Sequence, residues 1–228
     1  MSDHTVAIVV PLLNEAKSLS QLFQLLDGLD ADEIVQVDGG SEDGSLELLG
    51  KSPFRWLQSK KGRASQMNAG ASICQSEMLL FLHADTEIDA AAIASARDAM
   101  ADSEVVGGRF DLKLSGRHPM LRLIEQMINL RSRFTKISTG DQAMFVRRDV
   151  FEKLGGFSDQ PLMEDIEFSR RLKQQGRVAC LHDRVTTSSR RWEQSGMLRT
   201  ILLMWKLRFL YWTGVSPERL ATMYHHAR

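Results

Sequence analysis

Asp85 and Asp165 are the two carboxylates best placed to do demanding chemistry in this sequence, and each stands in a short polar cluster. Asp85 belongs to LHADT, directly after the apolar run 78–82, which reads as a buried strand. A carboxylate there suits Mg²⁺ or Mn²⁺, hard ions that take carboxylate and phosphate oxygens. Where a second acid would complete an Asp-x-Asp pair stands His83, with Ala84 between. A local role competes: Asp85 or Thr86 could cap a following helical turn. Asp165 follows Glu164 in PLMEDIEF, at a helix start where the dipole favours anions. Capping again competes, here with a division of labour. One carboxylate would be paired and structural while the other accepts a proton from an attacking hydroxyl.

Four further clusters could serve such a reaction. Asp38 in VDGGSEDGS precedes Gly39-Gly40, where backbone can approach a ligand closely, and could accept hydrogen bonds from a base or from ribose hydroxyls. The alternative is a strand-to-helix turn capped by Ser41 or Asp43. Arg63 follows Lys60, Lys61 and Gly62 at a helix N-terminus that would favour phosphate, with Asn68 and Gly70 adding amide donors and close approach; a solvated basic loop is the other reading. In SSRRWEQSG, Arg191 could grip phosphate and Trp192 could face a sugar, or the segment could be a surface turn with a core tryptophan. Gly140-Asp141-Gln142 precedes a strand and could line the same cleft, whereas His182 is expected in an exposed turn ending a strand.

These clusters need elements to hold them. Apolar runs at 6–10, 34–37 and 78–82 alternate with helical patterns that follow 14, begin near Asp43, open at Gly62 and cover 89–100. Such alternation predicts an α/β fold with a mostly parallel sheet, helices on both faces, and ligands at the carboxyl ends of the strands. PLLNE, VDGGSEDGS and HADT all fall at such ends. After Val105 the pattern changes to strands in VVGGRFDLKL, QAMFVRR and RVACLH, and helices in HPMLRLIEQMINLRSRF and in EDIEFSRRLKQQG, the last ending at Gly176.

Composition narrows the classes. The 228 residues carry 29 basic and 29 acidic side chains, a formal charge of zero that argues against a polyanion-coating protein, so no nucleic-acid partner is expected. Cys74 and Cys180 lack metal-ligand spacing and suit free thiols in a reducing compartment. No signal peptide is expected, and Arg199, Lys206 and Arg208 interrupt the late apolar segment 197–212, so it should not span a bilayer. Within it Leu198, Leu202, Trp205, Phe209 and Trp212 share one helical face, fitting either a membrane interface or packing onto the sheet or a partner subunit.

VVPLLNEAKSL, VDGGSEDGS, GRASQMNAGA, LHADT, GDQAMFVRRDVFEKLGGF and PLMEDIEFSRRL together resemble family 2 glycosyltransferases of the GT-A fold, from about Val6 to about Trp192. HADT, GDQA, PLMED and TSSRRW further resemble the subgroup named for arsenosugar biosynthesis, also labelled radical-SAM/selenodomain-associated transferases. The resemblance implies a Rossmann-like GT-A domain over 1–228, with a nucleotide-sugar half (about 1–112), an acceptor and catalytic half (about 113–193) and C-terminal helices (about 194–228). It places Pro11, Asn14 and Glu15 near the nucleoside, Asp38 on the base, and Arg63 on the base or diphosphate. Asp85 would hold Mg²⁺ or Mn²⁺, His83 would contact ribose, and Asn68 and Ala84 would belong to the same donor site. Asp165 would be the general base of an inverting transfer, and Gly140, Asp141, Gln142, Glu164, Arg191 and Trp192 would serve acceptor and diphosphate. UDP-sugar is favoured over GDP-sugar as donor, the acceptor being a small molecule or lipid-linked. The expected location is cytoplasmic, with peripheral contact at the inner membrane face or a homodimer through the C-terminal helix as options. Two rivals remain: a sugar-nucleotide nucleotidyltransferase, against which the lack of a Gly-rich run in VVPLLNEA argues, and a non-catalytic nucleotide-sugar-binding protein, against which Glu164-Asp165 argues.

Overall fold

The β-branched stretch at the N-terminus alternates its side chains between two cores, which makes it the centre of the molecule. The computed structural model describes residues 4–226. Strand β1 (Val6–Leu12) is completely buried: Val6, Ile8 and Val10 face one apolar cluster, Ala7 and Val9 the other. Helix α1 (Leu19–Asp27) covers the first face through Leu19, Leu22 and Leu26. Next come β2 (Glu33–Asp38), α2 (Ser45–Leu49), β3 (Arg55–Gln58) and α3 (Arg63–Ala71). Helix α3 lies on the second face, close enough that a Cβ on Gly70 would sit 2.4 Å from Val9 Cγ1, so only glycine fits. Strand β4 (Met78–Phe81) leads into β5 (Thr86–Glu87) and α4 (Ala90–Met100), then β6 (Val105–Leu114), α5 (Pro119–Thr135), a 3₁₀ turn (Gly140–Gln142) and β7 (Met144–Arg147). The chain closes with α6 (Arg148–Lys153), α7 (Glu164–Leu172), β8 (Arg177–Thr187), α8 (Arg190–Ser195), α9 (Met197–Trp212) and α10 (Pro217–His226).

The eight strands form one sheet in the order β3-β2-β1-β4-β7-β6-β8-β5. Strands β1 to β4, β6 and β8 run one way, with β7 and β5 antiparallel to their neighbours. The expected mostly parallel sheet with helices on both faces is therefore what the chain forms. Reversed β7 is central: it pairs Met144 with both Phe81 of β4 and Arg109 of β6. The 3₁₀ turn before β7 thus enters at the edge where β4 leaves.

Several local expectations need correction. Neither Asp85 nor Thr86 caps a helix; the chain turns (Thr86 N–H to His83 O, 3.0 Å), forms β5, and Asp89 caps α4 through Ala92 N–H at 2.8 Å. Gly44, at φ 91°, takes the N-cap of α2 instead of Ser41 or Asp43. Helix α7 stops at Leu172, short of Gly176. Strand β8 continues to Thr187 because ten-residue β6 supplies a parallel partner and β5 pairs with its end, so His182 lies within a strand with its side chain exposed. The α9 face carrying Leu198, Leu202, Trp205, Phe209 and Trp212 is solvent-exposed and does not pack on the sheet. Among the described residues no helix is long and apolar enough to cross a membrane.

Candidate active site

The strand ends and the 3₁₀ turn open onto a cleft of about 1160 Å³, walled by the start of α7, by α5, and by α8 and α9. Its lining includes six arginines (Arg63, Arg131, Arg190, Arg191, Arg199 and Arg208) and four carboxylates (Asp85, Asp141, Glu164 and Asp165). The excess of fixed cations favours an anionic ligand.

At the floor, Glu164 and Asp165 have separate jobs. Glu164 is buried and ion-paired to Arg63 Nε at 3.1 Å. Asp165 accepts the backbone N–H of Gly140 (2.9 Å) on Oδ2 and that of Ile166 (2.7 Å) on Oδ1. Burial, then the adjacent Glu164, push the Asp165 carboxyl up to about 7, against the opposing pull of Arg63 and the Gly140 N–H. Burial disfavours the charge on Arg63, but Glu164, Asp165, Asp141 and Asp85 outweigh it and hold the guanidinium more firmly protonated than usual. The two acids differ in their partners: Glu164 carries the ion pair, and Asp165 is held by backbone N–H groups with its carboxyl raised to about 7. Met163, just before them, adopts a left-handed φ of 69° and turns the chain into α7.

His83 sits beside Gly140, where a Cβ would come within 2.3 Å of the ring's Cε1; glycine is the residue that lets the turn and the imidazole meet. Burial and nearby Arg63 lower the His83 pKa despite Asp141 and Asp85, leaving a neutral ring at pH 7. Asp85 is exposed to the cleft, and its carbonyl accepts Ser188 N–H at 3.2 Å. Thr187 and Ser188 occupy the wall beside it. Arg191 stacks 4.0 Å over the Tyr224 ring of α10. Trp192 is partly buried against the Leu121 and Ile124 cluster and also lines the cleft.

The cleft thus gathers Arg63, His83, Asp85, Asp141, Glu164, Asp165, Arg191 and Trp192. Pro11, Asn14, Glu15 and Asp38 form a separate cluster where the loops after β1 and β2 meet. Asn14 N–H donates to Ser41 Oγ (2.8 Å), Glu42 N–H to Asn14 Oδ1 (2.8 Å) and Glu15 N–H to Ser45 Oγ (2.9 Å). Asp38 is fully buried; its Oδ2 accepts Gly40 and Ser41 N–H, and its Oδ1 has no partner among the described residues. Pro11 lies within β1, and partly buried Ala84 packs on the core.

Two site expectations are corrected. Gln142 points inward, fully buried, with its amide donating to Ser132 Oγ at 3.0 Å, so it braces α5 instead of lining the cleft. Asn68 uses both ends of its amide on the backbone of Phe157 (2.7 and 2.9 Å), pinning α3 to the loop before α7. Sequence reasoning missed Arg131, whose Nη2 is buried without a partner among the described residues although the side chain lines the cleft. Its one signal was a charged position within an amphipathic helix pattern.

Among the described residues no group of three His, Cys, Asp or Glu could by itself hold a metal ion. Mg²⁺ and Mn²⁺ sites are commonly built from one or two carboxylates completed by substrate phosphates and water. Exposed Asp85, at the end of β4 within the arginine-lined cleft, fits a site of that kind.

Comparison with known proteins gives concordant matches. The sequence model described as Glycosyl transferase family 2 matches residues 7–155. Probable glycosyltransferase YdaM of Bacillus subtilis (strain 168) is 24% identical over 219 residues, covering 83% of this chain and 50% of that protein. The chain thus spans about half the length of that curated relative. Among solved structures, S. aureus TarS 1-349 in complex with UDP-GlcNAc superposes with a TM-score of 0.66 at 19% identity, covering 81% of this chain and 58% of that one. Glucosyl-3-phosphoglycerate synthase from Mycobacterium tuberculosis, in complex with Mn²⁺, UDP and glucosyl-3-phosphoglycerate, gives 0.58 at 14% identity, covering 80% and 71%. These likenesses establish the GT-A fold.

Proposed function

The chain belongs to Glycosyl transferase family 2, and from that premise we propose that it is an inverting glycosyltransferase using a nucleotide-diphosphate sugar. The observation that carries the reading is Asp165: a cleft carboxylate held by two backbone N–H groups, with a pKa raised to about 7. In the proposed step the acceptor hydroxyl oxygen attacks the anomeric carbon from the face opposite the diphosphate. The carbon–oxygen bond to the diphosphate breaks, the nucleoside diphosphate departs, and Asp165 takes the hydroxyl proton. Arg63 and Arg191 line the cleft, which supports their holding the diphosphate. A divalent ion on Asp85 would neutralise charge on the leaving group. Neutral His83 hydrogen-bonds a ribose hydroxyl, and Asp141 and Trp192 shape the acceptor pocket.

The unpartnered Oδ1 of Asp38 supports a contact with the base. Because that atom is buried, donor binding must open a path to it. Pro11, Asn14 and Glu15 frame the nucleoside beside it. Uridine is the favoured base: the TarS and glucosyl-3-phosphoglycerate synthase structures hold UDP-GlcNAc and UDP. Donor binding belongs to about residues 1–112 and acceptor binding and catalysis to about 113–193, in one domain with C-terminal helices from about 194. Within the family, the resemblance of HADT, GDQA, PLMED and TSSRRW to the transferases named for arsenosugar biosynthesis supports that subgroup.

Incubation with UDP- and GDP-sugars, with and without Mn²⁺, tests the reading by its product. Free nucleoside diphosphate is expected; pyrophosphate would point to nucleotidyl transfer, and ligand-induced stabilisation without turnover to a binding protein.

A further inference from the structure

Two exposed apolar helix faces run up to the mouth of the cleft. On α5 these are Leu123, Met127, Leu130 and Phe134, the last 79% exposed; on α9 they are Leu198, Leu202, Trp205, Phe209 and Trp212, the last 71% exposed. Met127 and Trp205 belong at once to the exposed faces and to the cleft lining. Contiguous exposed apolar surface beside a binding site calls for an occupant. The opposite face of α9 is already committed: Leu207 packs with Leu162, Met163 and Ile166 at the head of α7 and with Leu220 of α10. The exposed stripe is therefore not the helix's own core side displaced.

Charge decides between occupants. No acidic residue stands on α9, while Arg208 flanks the stripe on one side and Arg199 and Lys206 on the other. A second copy applied through the same stripe would bring like charges together with no acid on the helix to pair them. An anionic lipid surface meets both features: the Trp and Phe side chains enter the headgroup boundary and the flanking cations meet lipid phosphates. We propose that this rim is a docking face for an anionic bilayer, and that the acceptor is lipid-borne, its polar head entering the cleft from the membrane while its apolar tail stays behind. The acceptor assignment rests on the transferase reading above; the docking face does not.

The test floats the chain with phosphatidylcholine vesicles, with and without phosphatidylglycerol, alongside a Phe209→Ser/Trp212→Ser variant. Both residues are exposed and outside the cleft lining, so the fold and donor site should be kept. The wild-type chain should float with the anionic vesicles and be released by added salt, and the double variant should lose at least about tenfold of the bound fraction. No flotation of the wild-type chain, or undiminished flotation of the variant, overturns the proposal. So does a dimer in size-exclusion chromatography that the variant dissociates while vesicles bind neither form. If flotation behaves as expected but no nucleotide sugar raises the melting temperature, the transferase reading falls and the docking face stands.

Discussion

The loops after β1 and β2 and the wall made by α5, α8 and α9 hold polar groups in opposite ways. In the first region the chain satisfies itself: Ser41, Ser45 and Asp43 accept the N–H groups of Asn14, Glu15 and Ala16 at 2.8–3.0 Å, leaving chiefly the Asp38 Oδ1 without a partner among the described residues. In the second, Arg131 keeps a buried nitrogen unpaired among the described residues and whole rows of apolar side chains face solvent. Under the proposed reading the first region would take the donor with its polar groups already arranged, and the second would take the acceptor.

The sharpest way to break this contrast is Asp165→Asn. Transfer should fall by about 10²–10⁴-fold, with donor affinity in a thermal-shift titration unchanged. Full turnover would remove Asp165 as base and with it the catalytic role of the cleft that the second region walls. Asp38→Asn acts on the first region and should weaken donor binding by roughly tenfold to a hundredfold, read by the same titration, with no change in vesicle flotation.

The pH dependence sharpens the comparison further. With Asp165 as the proposed base, activity should rise as pH passes through about 7. Stability should move the other way. Between the ordinary carboxylate value of 3.8 and about 7, the folded chain keeps a proton that the unfolded chain has released, so stability declines as pH rises through that window. Denaturant melts across pH should show that decline and Asp165→Asn should flatten it; the Asp38→Asn chain should keep it. The smallest functional effect is expected at Asn68→Ala, which removes two hydrogen bonds to Phe157 and should cost about 1–3 kcal/mol of stability, read as a lowered unfolding midpoint, with donor affinity intact.

The N-terminal half was the more legible in sequence because its signals are local. A β-branched run, a polar turn and an amphipathic helix, repeated, predict parallel strands and put Asp38 and Asp85 at their ends. Glu164 and Asp165 were legible as a pair, but Arg63, which pairs with Glu164, stands a hundred residues away and only folding brings it to 3.1 Å. Asn68 and Gln142 misled for a related reason. An amide beside a candidate site reads the same whether it meets a ligand or a backbone, and here Phe157 and Ser132 take them. Arg131 was hidden by its helix, since periodicity marks which face is apolar and says nothing of what a cation on its border confronts.

Reversed β7 has a consequence for how such a chain can change over generations. Asp38 and Asp85 reach the working edge on strands that are leaving it, whereas Gly140 and Asp141 arrive on a chain about to enter. Their position is fixed downstream, by the pairing of Met144 with Phe81 and Arg109. Within the segment between β6 and β7, residues away from the Gln142–Ser132 contact can change while that pairing keeps Asp141 in register. Substitutions there would alter one side of the cleft and leave the strands of the other side untouched.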